Sequence, residues 1–204
     1  MTTEGLRERK KRETRIALSW AAIRLSAERG LGNVRVEDIA AEAGVSARTF
    51  NNYFSGKGEA IAFRHLERAR QITEELRSRP AAEPFWEAVT NAALTRFGLG
   101  KDAEMEHVDL EQWASSLRLV FAESALQGEI HKADAQIETE MAAVIAERTG
   151  TDPGRDLYPH LAAAAVAAVI RAVTVHWMRA RPTIPISDLL TDAFRQVSTG
   201  LPVP

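Results

Sequence analysis

Three polar side chains that can hydrogen-bond in pairs, Arg48, Asn51 and Asn52, lie within five residues of one another. An asparagine amide matches the N6 and N7 edge of adenine, and an arginine guanidinium matches the O6 and N7 edge of guanine. On a helix these three residues fall opposite Phe50 and Phe54, which share an apolar face. The pattern therefore predicts a helix that buries its phenyl rings and turns an amide-rich edge towards the bases of a DNA groove.

Polar residues on either side of this helix suit the sugar-phosphate backbone. Thr49 can reach a phosphate or a thymine methyl group, and Lys57 opens the next helix, whose N-terminal dipole favours anions. A basic arm over residues 7–15 carries six Lys and Arg and predicts a salt-dependent attraction that ignores sequence. The predicted DNA-contacting residues are Lys10, Lys11, Arg12, Arg15, Arg35, Ser46, Arg48, Thr49, Asn51, Asn52, Tyr53 and Lys57.

Each of these features also has a plainer interpretation. Many helical pairs join through glycine, two asparagines can form a solvated face, and basic residues at a helix start can serve solubility. The distribution of charge favours the DNA interpretation. Residues 1–70 hold 14 Lys and Arg against 9 Asp and Glu, whereas residues 71–204 hold 12 against 19. A basic first third on an acidic remainder is typical of a polyanion-binding part joined to a part with another task.

The elements that position this set are short helices with recognisable ends. An amphipathic pattern over residues 14–29 stops at Gly30, and a second helix from Val36 stops at Gly44. Ser46 is a good N-cap for a third helix, and a fourth runs over residues 57–79, ending before Pro80. Two helices joined through a glycine turn predict a helix-turn-helix.

The rest of the chain is predicted to be helical throughout. Candidate helices cover residues 83–98, 107–127, 129–149, 154–180 and 187–199, with turn signals between them that include Gly128. We therefore expect an all-α protein of about nine helices. Residues 1–56 are predicted to form the helix-turn-helix DNA-binding domain with its basic arm, and residues 57–204 a helical effector-binding and dimerisation domain.

Composition argues against several other classes of protein. The absence of cysteine excludes disulfides and thiolate chemistry, and five scattered histidines show no metal-site or catalytic spacing, so we expect no metal, no cofactor and no enzyme. The charged N-terminus does not resemble a signal peptide. The apolar run at residues 161–175 is short and interrupted by Arg171, which favours a buried helix over a membrane span. We expect a cytoplasmic protein with no membrane partner.

The stretch VRVEDIAAEAGVSARTFNNYFSGKGE, preceded by a helix that ends ERG, resembles the TetR family of one-component bacterial transcription regulators. The resemblance covers about residues 12–60 and is specific. The later stretch ERTGTDPGRDLYPHL and Trp177 are similar to an actinobacterial subgroup that includes mycofactocin-type regulators. The positions that match in order and spacing are Val36, Ile39, Ala40, Ala43, Gly44, Val45, Ser46, Thr49, Tyr53, Phe54 and Lys57.

Four positions depart from the family's usual pattern. Arg35 stands where a helix-capping threonine is usual, so either Asn33 caps the second helix or Arg35 contacts a phosphate. Phe50 replaces a leucine, and Asn51 replaces a tyrosine, which turns a backbone contact into a base contact. Ser26 replaces a phenylalanine. These departures alter which operator is read more than whether DNA is bound.

The resemblance implies a homodimeric repressor that binds a pseudo-palindromic operator and is released by a small molecule. Recognition helices about 34–36 Å apart would reach successive turns of one duplex. The resemblance also makes the last two helices the expected dimer interface, with small side chains over residues 162–168 and an apolar face of Leu189, Leu190, Phe194 and Val197 on the last helix. An internal core of a monomer is the alternative. A helical sensor that binds DNA weakly or not at all, and an activator of the same fold, also stay open.

The effector is expected to be lipophilic, with an acyl or acyl-CoA-like ligand as one possibility, because such pockets are mostly apolar. Larger apolar residues of the middle helices are the candidates, although each of them suits a core as well. Trp113 and Trp177 stand out because a buried indole N–H needs a hydrogen-bond partner. The predicted ligand-binding residues are Trp86, Trp113, Leu117, Phe121, Met141, Val173 and Trp177.

Overall fold

The structure is a computed structural model that describes residues 5–98, 118, 121–179 and 184–203. These residues form eight α-helices and one 3-10 turn, Leu31–Asn33, and contain no strand. The all-α class is confirmed. The helices are α1 Leu6–Arg29, α2 Val36–Glu42, α3 Ala47–Asn51, α4 Lys57–Ser78, α5 Phe85–Gly98, α6 Ser124–Thr149, α7 Tyr158–Arg179 and α8 Ile186–Ser198.

The chain divides into two compact units. The described residues of 1–65 and 116–133 form the first unit, and those of 66–115 and 134–204 form the second. Helices α4 and α6 each contribute residues to both units. The functional division predicted between residues 56 and 57 stays a prediction.

Helix α1 begins at Leu6, eight residues before the predicted start at residue 14. The basic arm of residues 7–15 is therefore helical. Lys, Arg and Glu are good helix formers, and Arg9 and Glu13 form an ion pair of 3.7 Å one turn apart. Intrinsic propensity thus extends the helix beyond its apolar stripe.

Glycines end the first two helices as predicted. Gly30 follows α1 with φ of 81°, and Gly44 follows α2 with φ of 69°. Positive φ is costly for residues with a Cβ atom, so these positions favour glycine. The first unit then buries an apolar core between α1, α2, α3 and the start of α4, including Leu18, Ala22, Ile39, Phe50, Phe54 and Ile61.

Two predicted boundaries in the second half of the chain are wrong. Gly128 lies inside the continuous helix α6 and does not separate two helices. A glycine in a helix costs only about 1 kcal/mol relative to alanine, which the other residues of a 26-residue helix can offset. Helix α7 begins at Tyr158, not at residue 154, because Asp152 accepts a hydrogen bond from the Gly154 N–H at 2.7 Å in a preceding turn. Most of the predicted helix 107–127 lies outside the described residues.

The second unit is built around one apolar core. Helix α8 packs against α5 and α7, and it buries Leu190 and Phe194 completely. These two side chains are therefore covered within the protomer and are not available to a partner. That the last two helices form the dimer interface stays a prediction. Within the described ranges, α7 alone is long and apolar enough to cross a membrane by length and composition. One side of α7 packs on this core, where Val166 and Ala163 are almost fully buried.

Candidate DNA-binding surface

Helix α3 is fixed by a cap at its start and by rings beneath it. The Ser46 hydroxyl oxygen accepts a hydrogen bond from the Thr49 N–H at 3.1 Å, which confirms Ser46 as the N-cap. Phe50 and Phe54 are 0% and 2% exposed. Arg48, Asn51 and Asn52 all point outward and are exposed, whereas Thr49 and Tyr53 are half-buried. The predicted arrangement of a buried aromatic face under an exposed amide edge is therefore present.

Helix α2 starts in a way that the sequence did not indicate. Arg35 is its N-cap residue, and the Arg35 N–H donates to the Asp38 carboxylate at 3.0 Å. Asn33 does not cap α2, because its side-chain amide donates to the Arg29 carbonyl oxygen at the end of α1, at 2.7 Å. A full capping box has two reciprocal hydrogen bonds. An arginine side chain has no acceptor for the Asp38 N–H, so only the hydrogen bond from the Arg35 N–H to the Asp38 carboxylate remains. Arg35 keeps an exposed side chain.

Lys57 is engaged inside the protein. Its Nζ donates to the Leu31 carbonyl oxygen at 2.5 Å and to the Val34 carbonyl oxygen at 3.0 Å. An ammonium group has three donors, so one remains for a phosphate. The first turn of α4 is thus tied to the loop between α1 and α2, a role that the motif spacing did not reveal.

The basic residues of α1 separate into two kinds. Lys10, Lys11 and Arg12 have exposed side chains along the first turns of the helix. Arg15 is half-buried, and its Cζ lies 4.3 Å from the ring centroid of Phe63. Exposure thus leaves Lys10 and Lys11 available to a polyanion, while Arg15 is held against an aromatic ring.

The predicted ligand-binding residues do not all come together. Met141 and Val173 belong to the apolar core of the second unit, and Trp86 packs against that core. Trp177 is half-buried on α7, and Phe121 belongs to the first unit. Trp113 and Leu117 lie outside the described residues. Core packing is thus a sufficient explanation for Met141 and Val173, and their role in ligand binding stays a prediction.

A polar network surrounds the end of α4. The Arg79 guanidinium donates to both Glu83 carboxylate oxygens at 2.7 and 2.6 Å, and the Asn91 amide donates to one of them at 2.7 Å. These hydrogen bonds, chiefly that from Arg79, lower the pKa of Glu83 from 4.5 to about 2. The Arg148 guanidinium donates to the carbonyl oxygens of residues 79, 80 and 83. The loop between α4 and α5 is thus held by charge-assisted hydrogen bonds.

Comparison with known proteins identifies both parts of the chain. Residues 20–61 match the family described as bacterial regulatory proteins of the tetR family, and residues 83–202 match the MftR C-terminal domain. The regulator TcmR of Streptomyces glaucescens is 32% identical over 173 residues, which are 85% of this chain and 76% of TcmR.

The chain belongs to the TetR family of transcription regulators. The resemblance noted from the sequence is confirmed, including the mycofactocin-type character of the second part. Solved TetR-like structures share the fold. FadR from Bacillus subtilis, in complex with stearoyl-CoA, is 19% identical with a TM-score of 0.59 and coverage of 91% of this chain and 98% of that one. FadR from Thermus thermophilus, in complex with lauroyl-CoA, is 16% identical with a TM-score of 0.56 and coverage of 93% and 96%.

Proposed function

We propose that this TetR-family regulator is a cytoplasmic homodimeric repressor that binds a pseudo-palindromic operator and is released by a small lipophilic ligand. Operator binding is supported above all by the outward edge of α3. Arg48 and Asn51 of α3, and Asn52 at its C-cap, present outward side chains that can form paired hydrogen bonds with bases. The helix itself is held by its N-cap and its buried rings. Exposed Lys10 and Lys11 add the charge that a phosphate backbone requires.

A homodimer is supported by the outer face of α7. Leu161 is 62% exposed, and small side chains follow it at helical spacing at Ala164, Ala168 and Ala172. Small residues let two helices approach closely, which suits the packing of this face against a second copy. Two α3 helices placed about 34–36 Å apart would then read two half-sites of one duplex.

The lipophilic effector is supported by the apolar character of the second unit and by the acyl-CoA ligands of the two FadR structures. Repression with release fits a ligand that favours a different spacing of the two recognition helices. A coupling free energy of about 1–3 kcal/mol between the two sites is typical of such regulators. The ligand need only bind one arrangement of the protomers more tightly than the other.

A binding titration separates this proposal from a helical sensor that does not read DNA. The purified protein is titrated with labelled DNA from upstream of its own gene at two salt concentrations, with unlabelled duplexes as competitors. We expect affinity to fall by at least about tenfold between 50 and 200 mM salt. Competition by the cognate site alone supports the operator; equal competition by unrelated duplexes contradicts it and favours the sensor.

A further inference from the structure

Helices α1 and α4 exchange cation–π contacts in both directions. Arg15 of α1 places its Cζ 4.3 Å from the ring centroid of Phe63 on α4. Arg64, the next residue along α4, places its Cζ 4.8 Å from the ring centroid of Trp20 on α1. Each helix thus supplies one guanidinium and receives one, and we call these two contacts the reciprocal clamp.

The reciprocal clamp continues into a row of aromatic rings that ends beneath the outward edge of α3. The Phe63 and Phe54 centroids are 5.5 Å apart, and those of Phe54 and Phe50 are 5.7 Å apart. Arg15 also covers Phe54, with its Cζ 5.2 Å from the ring centroid. Close-packed rings cannot move independently. A displacement of α4 against α1 would therefore disturb this row as far as Phe50, on which α3 rests.

The two arginines occupy positions that suit packing better than phosphate binding. Arg15 and Arg64 are half-buried, whereas Lys10 and Lys11 of α1 are exposed. The Arg15 Nε is buried and has no hydrogen-bond acceptor within the described part of the chain. Guanidinium groups stay charged in such sites and gain more from an aromatic face as water is removed.

We propose that Arg15 and Arg64 are positioning residues for operator binding. The reciprocal clamp fixes α1 and α4 around the ring row and thereby sets the orientation in which α3 presents Asn51 to the DNA. This inference rests on the operator binding proposed above. It gives Arg15 a positioning role in place of the phosphate contact that its charge suggests.

The test measures operator affinity against salt for the full-length protein, using a duplex that the wild type selects from a randomised library. Trp20→Leu and Arg64→Gln remove opposite halves of one contact. We expect each to weaken binding by about five- to tenfold while the slope of log affinity against log salt stays unchanged. Lys11→Gln is the control, and we expect it to reduce that slope by about 0.9, as the loss of one phosphate contact does.

Two results would overturn the inference. A slope reduced by about 0.9 in Arg64→Gln but not in Trp20→Leu would show that the guanidinium binds a phosphate. Unchanged affinity in folded variants would show that the reciprocal clamp serves stability alone. Should either variant fail to fold, Trp20→Phe, which keeps a ring, and Arg64→Lys, which keeps a cation, replace the first pair. We expect these to lose less than about threefold in affinity, with the same slope.

A second measurement needs no DNA. In urea denaturation we expect the Trp20→Leu and Arg64→Gln double variant to lose less stability than the sum of the two single variants, because the two changes share one contact. Fully additive losses would overturn the inference. A wild-type protein that selects no duplex would instead defeat the proposed operator binding, and this denaturation cycle would still decide whether the clamp exists.

Discussion

Arg70 of α4 and Glu140 of α6 form a two-point ion pair, with Nε 3.0 Å from one carboxylate oxygen and Nη2 2.9 Å from the other. Seven residues further along both helices, Arg77 Nε lies 3.5 Å from a Glu147 carboxylate oxygen. Equal steps in the same direction show that α4 and α6 run parallel in the second unit. Arg148 of α6 also donates to the carbonyl oxygens of residues 79 and 80, so the end of α4 is tied to α6 at a third point.

Gly44 and Gly128 should respond oppositely to alanine. Gly44 adopts φ of 69°, which costs a residue with a Cβ roughly 1–2 kcal/mol, so Gly44→Ala should lower the free energy of unfolding by that amount. Gly128 lies within α6 with open space around it, so Gly128→Ala should raise that free energy by up to about 1 kcal/mol. Urea denaturation compares them. Destabilisation by Gly128→Ala would contradict a continuous α6.

Ser46→Ala should destabilise the first unit by about 1 kcal/mol, because the Thr49 N–H loses its cap. Ser55 is the matched control. The Ser55 hydroxyl donates to the Glu59 carboxylate at 2.8 Å and caps no backbone N–H among the described residues. Because none of these N–H groups loses its acceptor, Ser55→Ala should cost less than Ser46→Ala. Thermal denaturation with a probe in the first unit measures both. Equal losses, or a greater loss for Ser55→Ala, would argue against the capping geometry of α3.

Lys57→Met should lower stability as well as DNA affinity. The Val34 carbonyl oxygen would lose its charged donor, and the Leu31 carbonyl oxygen would keep only the 3.5 Å hydrogen bond from the Val34 N–H. An unsatisfied buried polar group costs about 1–3 kcal/mol. Lys11→Met, at an exposed position, should leave the unfolding midpoint unchanged. A Lys57→Met variant that keeps full stability and loses only DNA affinity would restore a pure phosphate role for Lys57.

The Arg79–Glu83 pair should contribute to stability only above acidic pH. The pKa of Glu83 is lowered to about 2 in the fold, so the contribution of the pair is present above the ordinary pKa of 4.5 and is lost as the pH falls towards 2. Glu83→Gln should therefore be destabilising near pH 7 and much less so near pH 3. Urea midpoints at both values test this, with exposed Glu87→Gln as control. If Glu83→Gln lowered the urea midpoint equally at pH 7 and pH 3, the low pKa of Glu83 would be contradicted.

The first unit was the part best predicted from the sequence, because its signals are local. Glycine stops, a serine cap and the spacing of Phe50 and Phe54 each depend on neighbours within a few residues. The partners of Arg64 and Lys57 were not predictable in this way. Trp20 lies 44 residues from Arg64 along the chain, and Lys57 binds carbonyl groups that carry no side-chain signal.

The second unit shows where an apolar pattern is ambiguous. The stripe of α8 predicted a buried face but not its partner, and α5 and α7 of the same protomer cover it. Periodicity indicates which side of a helix is buried, whereas tertiary packing decides which other element covers that side. The same ambiguity applies to Met141 and Val173, which the core of the second unit already accounts for.

The central claim is that the outward edge of α3 reads bases, and Asn51 tests it most directly. Wild type, Asn51→Ala and the control Thr139→Ala, exposed on α6, are each used to select and sequence duplexes from a randomised library. We expect Asn51→Ala to relax preference at one or two symmetric positions, at a cost of about 1–3 kcal/mol for the cognate site, and Thr139→Ala to change nothing. An Asn51→Ala variant that selects the same sequences with the same preference as the wild type would contradict the account.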